Sequence, residues 1–311
     1  TAENTGHTQV IRTDKYTKLK DLINELSTRC DFQRKNAAYE MQRQMRVKLS
    51  TFFNYSRGTA LACGPGISGF SSECRSLPQQ SVQITLKPNN KVEVNTSFYN
   101  NGSSAEIWRQ IISEELSVSK SDISFIEDQK EMLDSGPSVL SANSGRMPQQ
   151  VLRACNQIKE KRFVQPLPIC ESVLSPKQPE TKGSLFFSNS WIALILELEI
   201  DAVLLQPLVR SVWVSVSLSR IFDEQVLKSK IRHTIVSTLR EAGALLSHRS
   251  SFEIDISITS DGEQISSSVT SALKGVVTAA FISALEQALG TPVAKVPVDG
   301  ATLLAAMRGK S

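Results

Sequence analysis

Residues 270–289 constrain the fold of this 311-residue chain more than any other stretch. Ala272, Leu273, Val276, Val277, Ala280, Phe281, Ala284, Leu285, Ala288 and Leu289 recur with the 3.6-residue period of a helix. They form an apolar stripe too broad to be left in water. Gly290 follows where such a helix would stop, since glycine takes the left-handed closing conformation without penalty. Thr291-Pro292-Val293 and Val296-Pro297-Val298 then break the pattern, and Asp299 is placed to cap one last helix.

Hydrophobic residues make up 40% of the chain and charged ones 21%, the composition of a globular protein with an ample core. A net charge of +4 is too small and too dispersed to argue for nucleic acid. No apolar run approaches a membrane span, and the polar start Thr1–Lys15 does not read as a signal peptide. Cys30, Cys63, Cys74, Cys155 and Cys170 lack metal-ligand spacing and read as free thiols in a reducing cytoplasm. With only His7, His233 and His248, a histidine-based metal site is not expected.

Periodicity divides the chain into a helical segment (1–57), a first subdomain (58–163), a Pro-rich linker (164–184) and a second subdomain (185–311). In the first segment, Tyr16, Leu19, Leu22, Ile23 and Leu26 mark one helix. Phe32 to Leu49 marks another, with Ala38, Met41 and Met45 on one face and Arg34, Arg43 and Arg46 solvated elsewhere. The first subdomain reads as strands at 58–63, 82–86 and 92–98, a helix at 104–116, a strand at 123–126 and a helix at 148–161. That last helix would have Pro148 in its first turn. The second reads as strands at 191–200 and 208–218, a helix over 223–242, a strand at 252–258 and the Ala-rich helix. Two successive ββαβα-like subdomains predict an α+β fold with mixed sheets and packed helices.

Several fragments share their order with one family. Arg57-Gly58-Thr59-Ala60-Leu61-Ala62 resembles an Arg-Gly-x-Gly-x-Ala strand, and Gln110-Ile111 with Glu114-Glu115-Leu116 resembles a Gln-Ile-x-x-Glu-Glu-Leu helix. Val151-x-x-Ala154-Cys155 and Glu197-Leu198-Glu199-Ile200-Asp201 follow in the same sequence, and the C-terminal helix with its Pro-containing tail completes the set. Together they resemble the second half of the molybdopterin-binding subunit of the xanthine dehydrogenase/aldehyde oxidase family, the molybdenum hydroxylases, from about Lys18 to Met307. Nothing matches that subunit's first half or the family's iron–sulfur and flavin modules.

The resemblance implies a molybdopterin site, and at that site the chain departs from it. The family's general-base Glu, at the head of the C-terminal helix, falls on Ser271, which without a partner cannot act as a base near neutral pH. A Gly-Gln-Gly loop falls on Asn101-Gly102-Ser103, so its glutamine becomes Gly102. A Gln-x-x-Gly-Gly stretch falls on Lys230 to Thr234, where His233 and Thr234 are expected to fill the space that glycines leave for a ligand. The pterin-contacting loop falls on the serine-rich Ser135–Ser144, so that Gly102, Ser103, Ser138, Ser141, Ser144 and Lys230 are the cofactor-binding candidates. Loop composition alone gives the same serines, and Ser103-x-x-Glu106 is equally a helix-capping box.

Two further patterns carry less. Gly64-Pro65-Gly66-Ile67-Ser68-Gly69 satisfies G-x-G-x-x-G but is followed by no helix, so it reads as a glycine turn rather than a dinucleotide site. Glu197 and Glu199 share a face of a strand without forming an acid/base pair.

The expectation is a degenerate molybdopterin-binding-domain homologue. It would be a non-catalytic structural subunit or domain of an oxidoreductase complex, or one half of a split hydroxylase binding molybdopterin with a partner, and would hold neither FAD nor an iron–sulfur cluster. Its partners would be a first-half molybdopterin-binding chain or domain, flavin and iron–sulfur subunits, or a second copy of itself. A stand-alone binding module for an unrelated small ligand is a third reading.

Overall fold

The computed structural model describes residues 13–49, 55–70, 81–97, 103–127, 132–133, 142–174, 186–201, 205–218, 221, 223–246, 252–260 and 269–307. The expected α+β class is observed, with two mixed sheets. In the first, β2 (Ser81–Leu86) and β3 (Val92–Asn95) are antiparallel, helix α3 (Ser103–Leu116) follows, and β4 (Ile123–Phe125) returns parallel to β3 before α4 (Ala142–Lys161). In the second, β6 (Phe186–Asp201) and β7 (Gln206–Leu218) are antiparallel. There α5 (Glu224–Glu241) follows, and β9 (Glu253–Ser260) returns parallel to β7 before α6 (Thr270–Leu289). The ββαβα repeat thus extends from element order to strand pairing.

The strands outside the repeat are less local. β1 (Tyr55–Phe70) pairs antiparallel with β6, so the segment expected to open the first subdomain lies in the sheet of the second. β5 (Ile169–Leu174), inside the expected linker, pairs antiparallel with β2, held by the buried Ile169 and Val173. A two-residue strand, β8 (Leu245–Leu246), extends the edge of β7 beside β9.

Strand β6 explains how the larger sheet is covered on both faces. Its alternate residues Ile192, Leu194, Leu196, Leu198 and Ile200 join the core with α5 and α6. Trp191, Ala193 and Ile195 face the other way, onto Leu22 and Leu26 of α1 (Thr13–Arg29) and Cys30 just after it. A strand buried on both faces reads as a continuous apolar run. A bulge in β7 preserves the pattern: Glu197 pairs with Ser211 and Leu198 with Val209, leaving Arg210 extra. Val209 and Val212 therefore both turn inward although three residues apart.

Helix α6 lies directly on β1. An added Cβ at Gly58 would fall 1.9 Å from the Ala284 carbonyl oxygen, and one at Gly64 would fall 3.2 Å from a Val276 methyl. The helix thus runs antiparallel to the strand, with small residues letting the two backbones approach. The Thr59 N–H donates to Gln287 Oε1 of α6 at 2.8 Å, which satisfies a backbone group on the outer edge of β1. Gly290 closes α6 at φ 79°, and the Asp299 carboxylate accepts the Thr302 N–H at the start of α7 (Gly300–Met307).

Four local expectations are corrected. Pro148 lies inside α4, which begins at Ala142. The turn before the proline is held by the fully buried Met147. Met41 and Met45 of α2 (Phe32–Leu49) are exposed, because the sheet-facing side of α2 is formed by Tyr39 and Lys35, which bond to β6. Gly64–Gly69 is strand rather than turn, and Pro65 is tolerated because β1 is an edge strand. Finally, Ala272–Leu289 is long and apolar enough to cross a membrane, yet its Leu273, Val277, Phe281 and Leu285 are fully buried in the sheet core.

Substitutions along this seam should separate by what the new atoms meet. Phe281→Ala should cost about 3–5 kcal/mol, typical of a buried aromatic. Gly58→Ala should lower the melting temperature more than Gly64→Ala, because a backbone carbonyl cannot yield as a methyl can. Gly275→Ala, where an added Cβ meets nothing within 4 Å, should gain up to ~1 kcal/mol of helix propensity. Thermal melts of the four variants give the ranking.

Candidate cofactor-binding site

The described candidates divide between two helical layers. Ser103 heads α3 and Ser144 lies in the first turn of α4, both over the four-stranded sheet. Lys230 lies in the second turn of α5 and Ser271 in the first turn of α6, over the larger sheet. Gly102, Ser138 and Ser141 lie outside the described residues, and for Ser103, Ser144 and Ser271 only the backbone position is described.

The head of α6 is built for packing. Val269 occupies the capping position, is buried, and makes no side-chain capping bond; the first turn contains no acidic residue. Lys230 to Thr234 is helix interior rather than a ligand-facing loop. Thr234 donates its hydroxyl to the Lys230 carbonyl at 2.9 Å, and His233 is exposed, so neither fills a vacated glycine space. Helical periodicity assigns the inward positions to Ile231 and Ile235. Lys230 is half-buried with no ion-pair partner among the described residues, and burial pushes its pKa down.

Among the described residues, the first turn of α6 offers a molybdenum hydroxylase centre no carboxylate to act as base. The two glycines that most exclude a Cβ, Gly58 and Gly243, do so against the backbone of Ala284 and Val298 and leave no cradle for a ligand. No group of three or more His, Cys, Asp and Glu among the described residues could hold a metal ion.

A polar cluster on the opposite face of the sheet was not among the sequence candidates. Glu197 is buried on β6 and accepts from Lys35 Nζ at 2.8 Å and Tyr39 Oη at 2.6 Å. Two residues on, Glu199 meets Arg210 at 2.6 Å and Arg57 at 3.5 Å, while the Lys35 ammonium sits 4.5 Å from the Trp213 ring centre. The two carboxylates share a face as expected, and each is neutralised by cations. Burial pushes the Glu197 carboxyl up, but the bonds from Lys35 and Tyr39 and the charges of Lys35 and Arg57 outweigh it and leave its pKa below the ordinary value. Burial first, then the bond to Glu197 and its charge, push the Tyr39 phenol up to about 12. Beside this cluster an open groove of about 480 Å³ runs between α2, β1 and the end of α6, lined among others by Phe32, Arg43, Leu61 and Pro292. Its polar walls are satisfied internally: Arg43 pairs with Glu40, and Gln287 bridges Thr59 and Asn36.

Comparison with known proteins agrees with the resemblance read from the sequence. Residues 25–165 match the profile of the molybdopterin cofactor-binding domain family. No curated protein matches the chain in sequence. Among solved structures, aldehyde oxidoreductase from Desulfovibrio gigas superposes with TM-score 0.70 at 17% identity, over 93% of this chain and 36% of that one. Quinoline 2-oxidoreductase from Pseudomonas putida 86 gives 0.68 at 12%, over 94% and 46%. CO dehydrogenase from Oligotropha carboxidovorans gives 0.71 at 10%, over 94% and 45%. All three are molybdenum hydroxylases of the xanthine oxidase family, and at these identities the likeness shows the fold. The chain spans less than half the length of each.

The Glu197 cluster sets a pH dependence at both ends. Glu197 has a folded pKa below its unfolded one, so its stabilisation is complete above the unfolded value and is lost as pH falls through the folded one. Tyr39 has a folded pKa raised to about 12, so its contribution is complete below about pH 10 and is lost as pH rises through 12. Denaturant midpoints measured against pH should therefore decline at both extremes. Glu197→Gln should flatten the acid decline and Tyr39→Phe the alkaline one.

Proposed function

We propose that this chain, a homologue of the molybdopterin-binding domain of the xanthine dehydrogenase/aldehyde oxidase family, is a structural subunit or domain of an oxidoreductase complex that does not turn over substrate itself. The observation that carries the reading is the head of α6. The helix keeps its packing residues from Leu273 to Ala288 fully or nearly fully buried, while its first turn offers Ser271 and no carboxylate. A molybdopterin centre, when bound in a working relative, supplies the redox chemistry and needs a protein base beside it. Here the described residues of α5 and α6 supply packing, a half-buried ammonium and a hydroxyl-bearing first turn.

Its partners in this reading are a first-half molybdopterin-binding chain or domain, with flavin and iron–sulfur subunits completing electron transfer. One observation favours the alternative, a split hydroxylase whose pocket is completed by that partner: the profile match of residues 25–165 falls on a cofactor-binding domain and includes α3 and α4. In that case Gly102, Ser103 and the serines Ser138, Ser141 and Ser144 hold the pterin, while the partner provides the base.

Metal analysis and a hydroxylase assay on the purified chain, alone and with its complex, distinguish the readings. We expect no molybdenum and no oxidation of purines or aldehydes, and Ser271→Glu alone should restore neither. Stoichiometric molybdenum in the complex, with turnover lost on changing Ser103 or Lys230, would establish the split enzyme instead.

A further inference from the structure

Helices α1 and α2 cover the same face of the larger sheet but are seated on it differently. Leu22 and Leu26 of α1, with Cys30 just after it, are buried against Trp191, Ala193 and Ile195, and Arg29 Nε meets Asp255 Oδ2 at 2.9 Å. In α2, by contrast, Tyr39 is the only buried residue between Phe32 and Met45. Phe32, at the start of the helix, is the one α2 side chain in the apolar cluster on that face. The rest of the seat is polar. Lys35 and Tyr39 both donate to the Glu197 carboxylate, and Asn36 Oδ1 accepts from Gln287 Nε2 of α6 at 2.6 Å. The two helices meet in a turn at Cys30 and Asp31, where Asp31 takes the left-handed φ of 55°. Apolar burial holds an element in proportion to its area, whereas a buried ion pair regains its hydration when it separates. Undocking α2 therefore costs less than undocking α1.

We propose that α2 is a lid on the outer face of the larger sheet, swinging about the Cys30–Asp31 turn while α1 stays in place, with Glu197 as its latch. A short turn between two helices is the kind of element that absorbs the φ/ψ change of a hinge. Segments held by few buried apolar contacts are also the ones that open locally in a native protein. The lid is placed to control the groove beside it. Asn36, Glu40 and Arg43 form the α2 wall of that groove, and Thr59 and Leu61 of β1 lie across from them. Raising α2 moves this wall, lifts the Lys35 ammonium from the Trp213 ring and exposes the Glu197 carboxylate. The lid is independent of the α6 head, so its failure would leave the proposed function standing.

Amide hydrogen exchange on the full chain, followed in peptides from α1, α2, α6 and β6, tests the lid. The α2 amides from Asn36 to Gln44 should exchange faster than those of α1, α6 and β6. Phe281→Leu, a change in the core on the other face, should speed exchange in α6 and β6 and leave the α2 rates as they were, because opening the lid breaks no Phe281 contact. Glu197→Gln keeps the side-chain volume but removes the charge that Lys35 pairs with. It should speed α2 exchange on the order of tenfold, the least that a hydrogen bond to a charged group contributes. Tyr39→Phe cuts the same latch from the other side and should act in the same direction if the Glu197 variant does not fold. Exchange of α2 at the rate of β6 and accelerated with it by Phe281→Leu, or α1 and α2 opening at one common rate, would overturn the proposal. So would a locally opening α2 whose rate neither latch variant changes.

Discussion

The approach of α6 to β1 at Gly58 is the contact on which the larger sheet depends. A side chain there would collide with the Ala284 carbonyl, so the absence of one sets how close the helix lies. That distance lets Gln287 reach the Thr59 N–H, bridge to Asn36, and so tie α2 to the same edge. It also allows Phe281 and Leu285 to be fully buried against a strand whose own residues are small. The Arg-Gly-x-x-x-Ala pattern in this strand thus has a packing cause needing no ligand: glycine for the helix, arginine for Glu199 on the other face.

The same division of labour runs across the sheet. One face is sealed by apolar residues of α5 and α6, and the other by α1 together with a charged cluster around Glu197. A buried carboxylate of this kind is costly unless its oxygens are occupied, and Lys35 and Tyr39 occupy them. The bulge at Arg210 serves both faces, keeping Val209 and Val212 in the core while turning a cation toward Glu199. Glu197, Lys35 and Tyr39 hold a helix on the sheet through these bonds.

Much of this was legible in the sequence because helices advertise themselves locally. The 270–289 stripe, its Gly290 stop, the Asp299 cap and the bounds of α2 all follow from side chains within a few turns of each other. What was not legible is decided at long range. Nothing within β1 says that its partner is β6, more than a hundred residues away, and β5 hid in a Pro-rich stretch because only Ile169 and Val173 mark its buried face. The inward face of α2 was misassigned because apolarity is a poor guide when Lys35 and Tyr39 are drawn inward by Glu197. At the candidate site, Lys230 and Ser271 were placed correctly on α5 and α6. The crowding role given to His233 and Thr234 failed, because a helix interior turns them to solvent and to its own backbone.

Native-state hydrogen exchange tests most directly whether α6 is kept for packing rather than for a cofactor. If it is, the amides of Val276 to Ala288 and the paired amides of β1 should exchange only through global unfolding, as slowly as those of β6 in the protein as purified. Added molybdopterin should leave them unchanged. Exchange of α6 through local opening, slowed when the cofactor is supplied, would contradict the account and return the helix to the service of a working site.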